Sequence, residues 1–565
     1  MGLSPQVSDW VDECNAKHSC SNFTEAQSFP TRLLKIVRTG TGKPQVSLVH
    51  SAGQKGQYAC LSHCWGGHLP IRTMRATLDT FTDGISWNDI PLTYRDAMQL
   101  TEKLGLEYIW IDSLCIVQDD PDDWAREAAS MADVYANCYI TIAAVSSANC
   151  AEGFKIPAEL SVSGSTSAGQ PYRVFAEPRD VDRYHPFPPI LTALKIEVAW
   201  PLLSRGWVLQ ERLLSPRVLY ITQFEMIWEC RERICCQCDD PARNQRMSEG
   251  LKDFTLLKDT SASGWLLTDT ERLSSDSTKN WHNLIERYTE MHLSVPADKL
   301  PAISGVAKRI AAQRPRTSYI AGLWRDTLAI DLLWVRQSGR SWALQSQSQE
   351  MRLARMALQD RAPSWSWACR DNMIVFPFSA IFYTNGETPS AGVVRHLWFE
   401  IMQVECEQAT ADPTGSVLPG ARLTLRGPVL DVELVNLTRN ARYQTNDGYK
   451  VLMRSGSKKG LEAMSAPDSQ SIFFDNSDAP LEKPFLSGDP ENNISCLKMA
   501  LVDRNSSGVS GNVTVEYAML LRRVGDGVYR RIGMIAYNQP ISKDGEHQVR
   551  SAFVDHGEML EIRVL

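Results

Sequence analysis

The strongest constraint on the fold is a regular alternation in the first third of the chain. Three short apolar runs, Tyr58–Ser62, Tyr108–Ile111 and Tyr139–Val145, are separated by helical stretches, Pro91–Leu104 and Pro121 to about Asn137. Parallel neighbours need long crossovers, and connections of this length are right-handed βαβ units. The spacing predicts an α/β domain built on a mainly parallel open sheet with helices on both faces. Ahead of it, residues 1–30 read as a helical segment, and Arg32–Val37 as an edge strand. The first domain is expected over 31–235, with a Ser/Gly/Thr- and Pro-rich insertion near 155–200. Residues 236–394 read as a mainly helical extension. From 395 to 565 short β-like runs, such as Arg422–Arg426 and Val513–Tyr517, predict a C-terminal antiparallel β domain.

Composition narrows the class. At 565 residues, 43% hydrophobic and 22% charged, the chain is long and apolar enough for several cores. Its 59 Lys plus Arg against 66 Asp plus Glu give a charge of -7, which argues against a nucleic-acid surface. No apolar run nears the roughly 18 residues of a membrane helix, and Met1–Trp10 lacks the features of a signal peptide. A soluble, cytoplasmic protein with reduced thiols is expected.

In a parallel sheet, ligands collect beyond the carboxyl ends of the strands. That directs attention to His63, Cys64, Trp65, Gly66 and Gly67 after the first run, and to Asp112, Ser113 and Cys115 after the second. An ordinary turn with a buried Cys would look the same. On the Pro121 helix, capped by Asp119 or Asp120, Trp124, Ala128, Met131, Val134 and Tyr135 form an apolar stripe, with Asp122, Asp123, Arg126, Ser130 and Asp133 opposite. Glu127 falls on the apolar side, where a carboxylate must be paired, protonated or open to a cavity. Its plain structural partner would be Arg205 or Arg95. Around Ser204–Arg212, Arg205, Trp207, Gln210 and Glu211 suit a phosphate or ribose site, and equally an ion-paired helix. No metal site is implied: Cys230, Cys235, Cys236 and Cys238 are poorly spaced for zinc, and Cys14, His18 and Cys20 form an equally weak set. P-loop, serine-hydrolase and zincin motifs do not occur.

The blocks Tyr58–Gly66, Tyr108–Asp119, Asp123–Asn137 and Arg205–Arg217 together resemble the fungal heterokaryon incompatibility (HET) domain. Asp298–Gly305, Ala321–Trp324 and Pro363–Trp367 resemble the downstream region of long members. The resemblance implies a TIR-like fold and a cell-death effector in self/non-self recognition. It implies self-association and an incompatibility partner or NLR-type receptor. Trp124 and Glu127 are similar to the TIR segment whose Glu engages the nicotinamide ribose of NAD, so Glu127 becomes the expected catalytic carboxylate. NAD would be the substrate, and no cofactor is firmly implied. Trp65 or Trp124 would stack on a ring. Two alternatives stand beside this: a family member recruited to fungal secondary metabolism, using His63, Cys64 and Asp112, and a non-catalytic signalling module.

Overall fold

The computed structural model describes residues 5–18, 20, 27–38, 42–66, 71–155, 160–167, 169–176, 200–237, 276–336, 361–371, 373–376, 393–436, 449–453, 462–463, 470–474, 494–505, 512–539 and 557–565. Gly67, Cys238 and most of the expected insertion lie outside these residues. The chain divides into two compact units, Met1–Ala262 with Ala302–Arg309, and Ser263–Pro301 with Ile310–Leu565.

The first unit is built on an eight-stranded sheet. Its strands are β1 (Arg32–Val37), β2 (Gln45–His50), β3 (Ala59–Ser62), β4 (Tyr108–Trp110), β5 (Ile140–Ala144), β6 (Arg217–Ile221), β7 (Met226–Cys230) and β8 (Ile234–Cys236), in the order β8-β7-β6-β5-β3-β4-β1-β2. The helices are α1 (Pro5–Lys17), α2 (Leu78–Asp83), α3 (Leu92–Lys103), α4 (Asp112–Cys115), α5 (Pro121–Asn137) and α6 (Gly206–Leu214). The central pairs β6/β5, β5/β3 and β3/β4 are parallel, as the alternation requires. Both flanks are antiparallel, so the expected mainly parallel sheet is instead mixed. The reason is local: β1–β2 and β6–β7–β8 are joined by connections too short for a crossover. Arg32–Val37 is not an edge strand, because Gln45–His50 pairs along its outer side.

Helix signals are local, and the structure follows them closely. Asp120 caps α5 by accepting from the Asp122 and Asp123 amides, with Pro121 in the first turn. Gly105, at φ 77°, terminates α3 in the left-handed region. The buried face of α5 is rotated from the expected stripe, however. Asp123, Glu127, Met131, Val134 and Tyr135 face inward, while Trp124 is 38% exposed. Asp123 turns inward because Arg32 of β1 reaches it, and an ion pair outweighs the apolar pattern at that turn.

The second unit holds the helix Asp276–Glu290 and a cluster of fully buried indoles, among them Trp281, Trp324, Trp334, Trp365 and Trp367. Two of the downstream sequence blocks interlock there. Ser366 Oγ donates to Ala321 O at 2.5 Å and Trp367 Nε1 to Gly322 O at 2.8 Å. Short two-stranded pairings, Tyr319–Ile320 with Leu323–Trp324 and Val335–Arg336 with Ile374–Val375, interrupt the expected helical extension. The C-terminal part forms a ten-stranded sheet with antiparallel pairing, apart from the parallel contact of Val528–Gln539 with Glu558–Val564.

Candidate functional site

Because β3 and β4 are parallel neighbours, the residues that follow them emerge at one rim. Side chains alternate along β3, which divides them between two faces. Cys60 Sγ lies 3.8 Å from Val134 O of α5, and Ser62 faces Glu211 of α6. His63 turns the other way, to Tyr94 of α3. Its Nε2 is 2.9 Å from Tyr94 Oη, which is in turn 2.9 Å from Ser113 Oγ. Helices therefore cover both faces, and His63 and Cys64 diverge.

Asp112 is the centre of the rim. Its Oδ2 accepts from Trp65 Nε1 at 2.8 Å, its Oδ1 accepts from the Ser113 amide at 2.7 Å, and the same oxygen lies 3.8 Å from His63 Nε2. Its side chain retains 27% exposure, so this carboxylate can meet a ligand. Arg205, at the start of α6, donates from Nη1 to His63 O at 2.6 Å and also bonds Cys64. Burial pushes the His63 imidazole below its ordinary range; Asp112 opposes this and Arg205 reinforces it. Burial pushes the Cys64 thiol up despite Arg205. Burial likewise raises Glu211 to about 7, against the Ser62 hydroxyl and the Arg205 charge. The rim thus carries an accessible carboxylate beside a neutral imidazole, while Glu211 on the other side of β3 is held well above the usual carboxylate range.

Glu127 belongs to a different set of contacts. Arg32 Nη2 reaches its Oε1 at 3.6 Å and pairs more tightly with Asp123 Oδ2. Asp123 also accepts from the Val117 amide and from Arg126 Nη2, both at 2.9 Å. Burial pushes the Glu127 carboxyl up, while a hydrogen bond to Thr31 and the charge of Arg32 pull it down. Its Oε2 is buried without a hydrogen-bond partner. The structural partner is therefore Arg32, in place of Arg205 or Arg95. Arg205 is engaged at His63, and Arg95 Nε donates to Ile90 O at 2.6 Å.

The remaining expected residues take plainer places. Cys115 is buried, its thiol pushed up to about 12 by burial, and its carbonyl accepts from Arg32 Nε at 2.7 Å. Gly66 sits at φ 78°, and a Cβ there would lie 2.2 Å from Asn149 Cβ, so close packing against that loop accounts for the glycine. Gln210 Oε1 accepts from the Gly305 amide at 2.8 Å, and Trp207 is half-buried. Sequence reasoning passed over Tyr94 and Arg32. Tyr94 carried a signal, since Tyr94, Ala97, Met98 and Thr101 form the buried stripe of α3. Arg32 carried none, because its carboxylate partners are far away in sequence.

Residues 58–211 match the family described as Heterokaryon incompatibility protein (HET). The chain carries a HET domain. The match spans β3 to α6 and so encloses the whole rim, from His63 to Arg205. The strands β1, β2, β6, β7 and β8 that complete the sheet lie wholly or largely outside the matched HET segment. No curated protein and no solved structure matches the chain. Among the described residues, no helix is long and apolar enough to cross a membrane.

Proposed function

We propose that the chain acts in fungal heterokaryon incompatibility as a cytoplasmic cell-death effector, and that its HET domain cleaves the nicotinamide–ribose bond of NAD. The HET match supports the incompatibility reading, and the polar rim supports a small-molecule ligand. The observation that carries the chemistry is Glu127, a buried carboxylate whose Oε2 makes no hydrogen bond although Arg32 lies 3.6 Å from its Oε1. Buried acceptors are nearly always satisfied, and a ribose hydroxyl is a donor of the right kind. In this reading the domain is TIR-like and Glu127 holds the sugar hydroxyls. Its charge stabilises the oxocarbenium-like state as nicotinamide leaves with the bonding electron pair and water attacks the ribose carbon. Trp65 offers a ring for stacking. Self-association, and a partner protein or NLR-type receptor as trigger, belong to the same proposal.

A second reading, a non-catalytic interaction module, is favoured by the ion pair of Glu127 with Arg32. Expression of the full chain from an inducible promoter in a fungal host separates the two. The catalytic reading expects NAD to fall before cells die, with both effects abolished in Glu127→Gln. Death at undiminished NAD would favour the module instead.

A further inference from the structure

Outside the HET match, the fold gathers a second constellation that local spacing hides. Cys14 of α1, Cys20 and Cys230 at the end of β7 bring three buried sulfurs within 4.8 Å of one another. His18 joins them, its Nδ1 3.3 Å from Cys230 Sγ. We propose that Cys14, Cys20, Cys230 and His18 form a zinc site that fastens the amino-terminal segment to strand β7.

Four ligands of this kind are a structural zinc set. Zn–S bonds of about 2.3 Å in a tetrahedron place sulfurs about 3.8 Å apart, so a small closing movement lets one ion bridge all three. Each sulfur also receives an N–H. Arg217 Nε donates to Cys14 Sγ at 3.3 Å, the Arg233 amide donates to Cys230 Sγ at 3.3 Å, and the Arg231 backbone bonds Cys20. Such donors orient metal-bound thiolates and stabilise their charge.

Charge balance points the same way. Arg217 is fully buried, and its remaining partners are neutral: Asn15 Oδ1, the carbonyls of Cys20 and Tyr139, and the Tyr139 ring. No carboxylate pairs with it among the described residues. A buried cation of this kind needs a nearby anion. Three thiolates and a neutral imidazole around Zn²⁺ carry one net negative charge, which Arg217 offsets. With four protein ligands the coordination sphere is closed, so the ion's role is structural.

The test is metal content of the full chain, purified under reducing conditions without chelator. The expected result is one zinc per chain. Cys20→Ser and Cys230→Ser should lose it, and Cys406→Ser, outside the cluster, should keep it. Should the variants fail to fold, the unaltered chain still decides. Replacing zinc by cobalt should give the intense visible absorption of tetrahedral thiolate coordination, and stripping the metal should lower the thermal midpoint. A folded chain with no bound zinc and no cobalt spectrum overturns the site, as does a disulfide between any two of the three cysteines in that preparation.

Discussion

Arg32→Met is expected to destabilise the first unit by about 3–5 kcal/mol, the cost of leaving buried charge without its partner. The Arg32 side chain is 10% exposed, and it stands between Asp123 and Glu127, which are 3% and 2% exposed. Methionine keeps much of the volume but removes the hydrogen bond to Cys115 O and the guanidinium that lies between both carboxylates. Burial already favours the protonated form of Asp123, but Arg32, the Val117 amide and Arg126 together hold it below the usual range. Without Arg32, Asp123 and Glu127 repel across a poorly solvated gap. Urea unfolding of both proteins at neutral pH measures the loss. Adding Asp123→Asn to the variant should restore a large part of it, since one stranded charge disappears. A loss below about 1 kcal/mol would mean that water solvates this cluster, as at an ordinary surface ion pair.

The second large effect is a pH dependence. Glu211 rises from an ordinary 4.5 to about 7 on folding, so the folded state binds its proton more tightly. The stabilisation this brings is complete below pH 4.5 and is lost as pH rises through about 7. At about 1.4 kcal/mol per pKa unit, the span is up to about 3 kcal/mol. His63 works oppositely. Its depressed imidazole favours folding above its ordinary 6.5, and that contribution is lost as pH falls through its lower folded value. The wild-type profile mixes both, whereas the difference between wild type and Glu211→Gln isolates the carboxyl. Between pH 5 and 8 the wild type should lose stability relative to the variant. Parallel profiles would show that Glu211 is ionised throughout and that water reaches it.

What could be read from the sequence was whatever is decided within a few residues. Asp120, Pro121 and Gly105 announce their helix ends because caps are local hydrogen bonds and backbone conformations. Part of the rim was legible as well, since strand ends locate it: His63, Trp65, Asp112, Ser113 and Arg205 lie together there, whereas Glu211 faces the other side of β3. The rotation of α5 was not, because Asp123 faces inward only on account of Arg32, a residue on a strand 91 positions earlier. Gln45–His50 alternates as a strand should, with Val46 and Leu48 buried, but a six-residue run is easily passed over. The cysteine cluster is the extreme case. His18 and Cys230 stand 212 positions apart, and motif spacing reads only ligands that share a turn or a knuckle.

If the HET domain cleaves NAD through Glu127, as proposed, nicotinamide release by the purified full chain, alone and after enforced self-association, beside Glu127→Gln, shows it. The native chain should release nicotinamide and the variant should lose at least about a hundredfold, the scale expected for removing a group that stabilises transition-state charge. Release that survives the substitution, or none from the native chain in either state, would rule out catalysis by Glu127.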